Sequence, residues 1–239
     1  MSETTFKLND ALDLKALAKH YKEHGWVHIP NFMEPEQAEA VYRSIFDDVK
    51  WWYVFMLNGE RRWLTGQEYE ALPRRQKTEA LQSIYAAGRD GHSYFHLAYP
   101  MKESRELKWD PDMFLQDYFS YLDGDDFAAF INSITGKKDA KNLSCEATWF
   151  RRDYFRTSHT NLDDSEKATV GFLVDFTKDW KADWGGLTHI HDKDGNLEKA
   201  IVPSFNSITI MKADVVRSKT YQASYCGEFN LGINGYFQK

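Results

Sequence analysis

Three pairs among the eight histidines have spacings that could hold a metal ion. His20 and His24 lie four residues apart, as do His92 and His96, and on a helix either pair would share one face. His189 and His191 lie two apart and would share one face of a strand. Each pair also has a plainer reading. His20 and His24 close a helical pattern, where an imidazole favours the C-terminal end of the helix dipole, and we read them as solvated. His92 and His96 sit beside Tyr94, Phe95 and Tyr99 and read as packed. His189-x-His191 reads as chance spacing. A fourth region, His159-Thr160-Asn161 followed by Asp163 and Asp164, offers one imidazole, one amide and two carboxylates within six residues.

The elements that must position these groups have two textures. Asp10 to His24 carries Leu12, Leu14, Leu17, Ala18 and Tyr21 at helical spacing, and Gly25 ends it. Trp26 to Ile29 alternates like a short strand. Glu34-Pro35-Glu36 opens a helix with Ala38, Val41, Tyr42 and Ile45 on its apolar face. Further helical patterns cover Gly66 to Ala87, broken at Pro73, and Pro111 to Ile134. The aromatic cluster Trp51, Trp52, Tyr53 and Phe55 reads as core. Asn58 to Arg75 reads either as a mobile lid or as a polar surface segment. From Leu143 the pattern predicts strands at Cys145–Phe155, Lys167–Phe176, Leu187–His191, Ala200–Val202, Ser207–Lys212, Arg217–Ser224 and Glu228–Phe237. Turn signals such as Asp183-Trp184-Gly185-Gly186 separate them. Helices followed by a run of strands predict an α+β chain. We expect a single domain, 1–239, with a mainly helical support over 1–142 and a β-sandwich or barrel over 143–239.

A hydrophobic content of 42% with 15% aromatics can fill a sizeable core. A net charge of -6 argues against nucleic acid or an anionic membrane as partner. No stretch reaches the length of a membrane span, and Met1 to Thr5 carries no basic, apolar signal, so a cytoplasmic location is expected. Cys145 and Cys226 read as reduced core residues.

From Cys145 onward an ordered series of motifs appears. It runs through His159-Thr160-Asn161, Phe172-Leu173-Val174-Asp175-Phe176-Thr177-Lys178-Asp179-Trp180 and Asp183-Trp184-Gly185-Gly186-Leu187. Val202-Pro203-Ser204-Phe205-Asn206-Ser207 and Ile233-Asn234-Gly235-Tyr236-Phe237 follow. The series resembles the prolyl-hydroxylase-like branch of the Fe(II)/2-oxoglutarate-dependent oxygenase superfamily. Asn31-Phe32-Met33 and Glu36-Gln37-Ala38-Glu39 are in keeping with that branch. The resemblance implies a double-stranded β-helix, a cupin-like jelly roll closed by helices.

It also implies a site in which a His-x-Asp/Glu and a distal His hold iron, while a late Arg pairs with the far carboxylate of 2-oxoglutarate. Only His159 matches. Asn161 takes the carboxylate position, Asn230 the Arg position, and Lys219 the distal His position, with Thr220 or Tyr221 there in a shifted register. No His follows His191 and no Arg follows Arg217, so both losses hold in any register. The resemblance therefore implies a degenerate site. Neither Fe(II) nor 2-oxoglutarate is expected as cofactor unless an unusual ligand set rescues it, for instance Asp163 folding back; a solvated or turn-capping Asp163 is the reading preferred.

By the family pattern, the pocket is lined by alternate strand residues including Leu173, with His189 and His191 pointing away from it. We expect His159, Lys219 and Asp175 in catalytic roles, with Asp175 or Asn161 accepting from the Lys219 ammonium. Arg156, Asn161, Thr188, Asn230, Asn234 and Tyr236 are expected to bind substrate. Two functions follow. The first is a divergent enzyme acting on a small, amino-acid-derived or biosynthetic molecule by non-standard or metal-independent chemistry. The second is an inactive pseudo-oxygenase that binds a ligand or a protein, with Lys219 and Asp175 plugging the old site. A homodimer is left open.

Overall fold

The computed structural model describes residues 6–138 and 140–239; Met1 to Thr5, read above for a targeting signal, lie outside them. Helix α1 (Leu14–His24) is capped by the Asp13 carboxylate, which accepts from the Lys15 and Ala16 N–H groups. It stops at Gly25, whose φ of 81° a side chain would resist. Strand β1 (Trp26–Pro30) follows, then α2 (Pro35–Arg43) with proline in its first turn. Strands β2 (Trp52–Leu57) and β3 (Glu60–Thr65) form a hairpin turned by Asn58-Gly59, both at positive φ. Helix α3 (Gly66–Ala71) starts on a capping box between Thr65 and Glu68, and α4 (Arg74–Asp90) restarts after Pro73. Strand β4 (Tyr94–Pro100) is buried along its whole length. Helices α5 (Met101–Leu107), α6 (Phe114–Leu122) and α7 (Asp125–Thr135) complete the first half.

The second half supplies β5 (Lys141–Phe150), β6 (Phe155–His159), the short α8 (Asn161–Asp164), β7 (Ala168–Asp175) and β8 (Thr188–His191). Strands β9 (Leu197–Ile201), β10 (Ser207–Lys212), β11 (Arg217–Lys219) and β12 (Asn230–Gln238) follow. All pairings are antiparallel. One layer runs β1-β10-β7-β12-β5, the other β6-β11-β8-β9, and β4 joins them by pairing with both β5 and β6. The curled sheet is the expected double-stranded β-helix. Its first layer packs on the helices through Tyr21, Val41, Tyr118 and Phe127 against Phe172, Ile210 and Phe237. Among the described residues no helix is long and apolar enough to cross a membrane.

Several expectations are corrected. Beside its helices, the first half gives β1 to β4 to the sheet, of which only β1 was expected. Of the two readings of Asn58 to Arg75, the polar surface segment fits: it forms the turn of a hairpin, β3 and α3, with no buried residue. The strand expected over Cys145–Phe155 is two strands, because Asp153 adopts φ 66° and the Tyr154 N–H turns back to the Arg151 carbonyl. The strand expected over Arg217–Ser224 lasts three residues. Beyond it the backbone bonds to a loop, from Thr220 N–H to Leu187 and from Gly186 N–H to Tyr221. The cysteines are both free and buried.

Candidate functional site

A cleft with a cavity of about 60 Å³ lies between the two layers. Of the expected site residues, Arg156, His159, Leu173, Asp175, Thr188, Lys219, Asn230 and Asn234 line it. Tyr236 does not; it borders an adjoining recess with Arg61 and Trp63. Asn161 does not line it either. Its side chain is completely buried behind the cleft, against Gly171 of β7.

His159 ends β6 and is held in one orientation. Its Nδ1 lies 2.9 Å from the Thr157 carbonyl, which can only accept, so Nδ1 carries the proton and Nε2 the lone pair. Its ring stacks on His92 with centroids 5.3 Å apart. Burial first, then Arg156 and Arg217, push its pKa well below the usual 6.5.

The residue across from His159 is Arg217, whereas Lys219 stands across from Arg156, with a register shift between the two pairs. The Arg217 Nη1 donates to Asn161 Oδ1 at 3.2 Å. Lys219 was expected in this corner; Arg217 takes it, because β11 begins here and the shift carries Lys219 away along the strand. Arg217 is 2% exposed, and burial lowers its pKa to about 9, so it stays charged at neutral pH. Asn161 Nδ2 has no partner among the described residues.

Lys219 instead shares the cleft with Asp175. Its Nζ lies 5.6 Å from the Phe150 ring centroid. Burial lowers the amine's pKa, and the Asp175 charge partly restores it. Burial likewise raises the Asp175 carboxyl, against the pull of Lys219 and a 2.8 Å bond from the Thr177 N–H. Contrary to expectation, neither Asp175 nor Asn161 accepts a hydrogen bond from Lys219 among the described residues. The two charges face each other without closing into a plug.

Two ion pairs frame the cleft. Arg156 Nη2 meets Asp164 at 2.6 Å, which ties up the cation expected to bind substrate. Arg61 Nη2 meets Glu146 at 2.5 Å, with His96 Nε2 at 3.6 Å from the same carboxylate. Glu146 and Arg217 were not expected in the site from the sequence, and His96 was read only as packed. Glu146 alternates with Thr148 and Phe150 on the inner face of β5, a period-2 signal that could have found it. His96 stacks on Phe150, so the packed reading holds while the residue also borders the cleft. Asp163 caps α8 by accepting from the Thr160 N–H and hydroxyl. His189 and His191 are partly buried, and His191 Nε2 lies 3.0 Å from the Ser218 hydroxyl. Among the described residues no three His, Cys, Asp or Glu side chains converge as a metal site.

Residues 145–238 match the family model described as the 2OG-Fe(II) oxygenase superfamily. No curated protein sequence matches the chain. A prolyl-4-hydroxylase from Pseudomonas putida superposes with a TM-score of 0.58 at 16% identity, covering 95% of this chain and 98% of that one. An oxidoreductase of the 2OG-Fe(II) oxygenase family from Burkholderia pseudomallei gives 0.61 at 10% identity, over 100% and 96%. A Trichoplax adhaerens prolyl hydroxylase, solved with a peptide of the oxygen degradation domain of hypoxia inducible factor, gives 0.59 at 11%, over 94% and 88%. At such identities these likenesses establish the fold.

Proposed function

With residues 145–238 matching the 2OG-Fe(II) oxygenase superfamily and the chain folded like a prolyl-4-hydroxylase, we propose a divergent enzyme that acts on a small molecule without iron. The observation that carries this reading is the hydrogen bond from Arg217 to Asn161. An iron ion needs lone pairs converging on one point. This corner offers one imidazole nitrogen and a neutral amide oxygen already accepting from a guanidinium. The guanidinium has no lone pair to give and repels a second cation. These residues do not fit Fe(II). For 2-oxoglutarate, Asn230 supplies no charge, and its amide already donates to the Gly186 carbonyl at 3.1 Å.

The residues left in the cleft suit proton transfer. Burial moves the Lys219 amine down and the Asp175 carboxyl up, so the charged form of each is disfavoured in the cleft. His159 adds a neutral imidazole whose Nε2 can accept. In this reading Lys219 or His159 removes a proton from the substrate and Asp175 returns one. Thr188 and Asn234 orient the substrate, Arg156 and Asn161 act indirectly through Asp164 and Arg217, and Tyr236 borders the approach. The titratable His159, Asp175 and Lys219 that line one cleft support the enzyme over an inactive relative that only binds a ligand or a protein.

Metal analysis and anaerobic iron(II) titration with 2-oxoglutarate test the reading, wild type beside His159→Ala. Neither protein should take up stoichiometric iron. One equivalent bound by the wild type and lost in the variant would overturn it. The acid–base role is tested by isotope-labelled NMR titration of Lys219: a midpoint at or above the ordinary 10.5 would remove it from that role.

A further inference from the structure

Arg61 is paired with Glu146 and Arg156 with Asp164, which leaves Arg217 and Lys219 as cations of the cleft that no carboxylate bonds among the described residues. Asp164 and Asp163 offset part of the Arg217 charge without bonding it. Arg217 carries five N–H donors and spends one on a neutral amide. Lys219 has three and no hydrogen-bond partner among the described residues. Both side chains line one cleft, where the oxygens of a ligand can accept from them.

We propose that the cleft binds one small monocarboxylate, its carboxylate bridging Arg217 and Lys219 and its apolar body lying against Leu173 and Phe150. The two cations with unfilled donors select an anion, and Asp175 in the same cleft disfavours a second negative charge, so a monoanion fits better than a dianion. The planar guanidinium fork matches two carboxylate oxygens, and the ammonium supplies a flexible third donor. The apolar wall favours a short aliphatic or aromatic acid over a highly hydrated one. Arg217 is then the cation that fixes the acid in place, with Asn161 and Gly171 behind it setting its position. This inference rests on the iron-free reading above, and it names the ligand of the same cleft.

Isothermal titration with sodium butyrate and sodium benzoate tests it, on protein whose metal content is measured in the same sample. Inorganic phosphate, 2-oxoglutarate and butylammonium serve as comparisons. At least one monocarboxylate should bind, and Arg217→Gln should weaken it about 10- to 100-fold, the worth of a charged hydrogen bond. Lys219→Met, at a less buried position, provides the second variant and should weaken binding by a similar factor. Circular dichroism checks that each variant is folded. Unchanged affinity in a folded variant, or tighter binding of phosphate, 2-oxoglutarate or butylammonium than of either monocarboxylate, would overturn the proposal. A metal-free protein that binds no carboxylate would overturn it and leave the iron-free reading standing. Stoichiometric iron would overturn both.

Discussion

Alanine at position 171 should be rejected by Asn161. A Cβ built on Gly171 stands 1.9 Å from Asn161 Oδ1 and 2.8 Å from its Cγ, where real contacts stay above 3.0 Å. The backbone cannot yield, because Gly171 is paired with Met211 on one side and Tyr236 on the other. Asn161 must therefore move, and it loses Arg217 when it does. Overpacking costs roughly 1–3 kcal/mol and the lost bond to a charged donor roughly 1.5–3, so Gly171→Ala should destabilise by about 3–5 kcal/mol. Asn161→Ala alone should cost about 2–4 kcal/mol, from the same bond and the cavity left behind. In that background the Cβ at 171 has room, and the second substitution should cost under about 1 kcal/mol. The cycle then shows a coupling of about 2 kcal/mol or more, well above the additivity error of roughly 0.5. Urea melts of the four proteins measure it, provided the slopes agree. Additive costs would mean that Asn161 does not sit against β7, and the Arg217 corner would fall with it.

Replacing Asn161 by Asp and Arg217 by His should create the missing donors beside His159, giving the double variant the visible bands of bound cobalt(II); a folded double variant that stays colourless refutes the geometry. His159 should remain neutral well below pH 6.5, because burial and then Arg156 and Arg217 disfavour its charged form. Its depressed pKa means that the unfolded chain takes up the proton first, so this contribution to stability fades as pH falls below 6.5. Imidazole NMR should show the His159 midpoint rising in Arg217→Gln, and a wild-type midpoint at 6.5 or above would contradict the burial. Burial pushes the Glu146 carboxyl up, but Arg61 and then His96 outweigh it and hold it at about 2. The stability this supplies is complete above the unfolded value of 4.5 and is lost as pH falls through about 2. Arg61 is partly exposed, so Arg61→Met should cost only about 2 kcal/mol at pH 7, and less at pH 3. Equal losses at both pH values in urea melts would show that the carboxylate is held by something else.

The second half of the fold was legible because its strands alternate and its turns are marked. Ser207–Lys212 forms as expected, and Thr188 faces the cleft while His189 faces away. The first half was misread where strands lack alternation. All seven residues of β4 are buried, since it lies between sheet neighbours with both faces covered, and a continuous run carries no period. The β2–β3 hairpin did carry a signal: Asn58-Gly59 between two six-residue strands is a strong hairpin turn, and the polar Glu60, Arg61 and Arg62 obscured it. In the site, residue types were legible and register was not. Strand β11 spans three residues and contains a register shift, so no counting along the sequence could decide that Arg217 faces His159 while Lys219 moves toward Asp175. Asn161 was expected in the pocket because the strand periodicity was extended past His159, but α8 begins there and turns the side chain behind the cleft.

Strand β4 also dictates an order of assembly. It leaves the ribosome before either strand that it joins. With β2 and β3 it can already form a three-stranded sheet in the order β3-β2-β4, whose free β4 edge then pairs Leu97 to Pro100 with β5 and Tyr94 to Phe95 with β6. The N-terminal half is therefore the template on which the jelly roll closes, rather than a buttress added to a finished one. The portion that carries the family's sequence motifs should not be autonomous. Expressed alone, residues 143–239 would leave the edges of β5 and β6 open to other chains and should aggregate. Co-expression with residues 1–142 should return them to solution, and a soluble, cooperatively melting 143–239 fragment would show that the roll can close unaided.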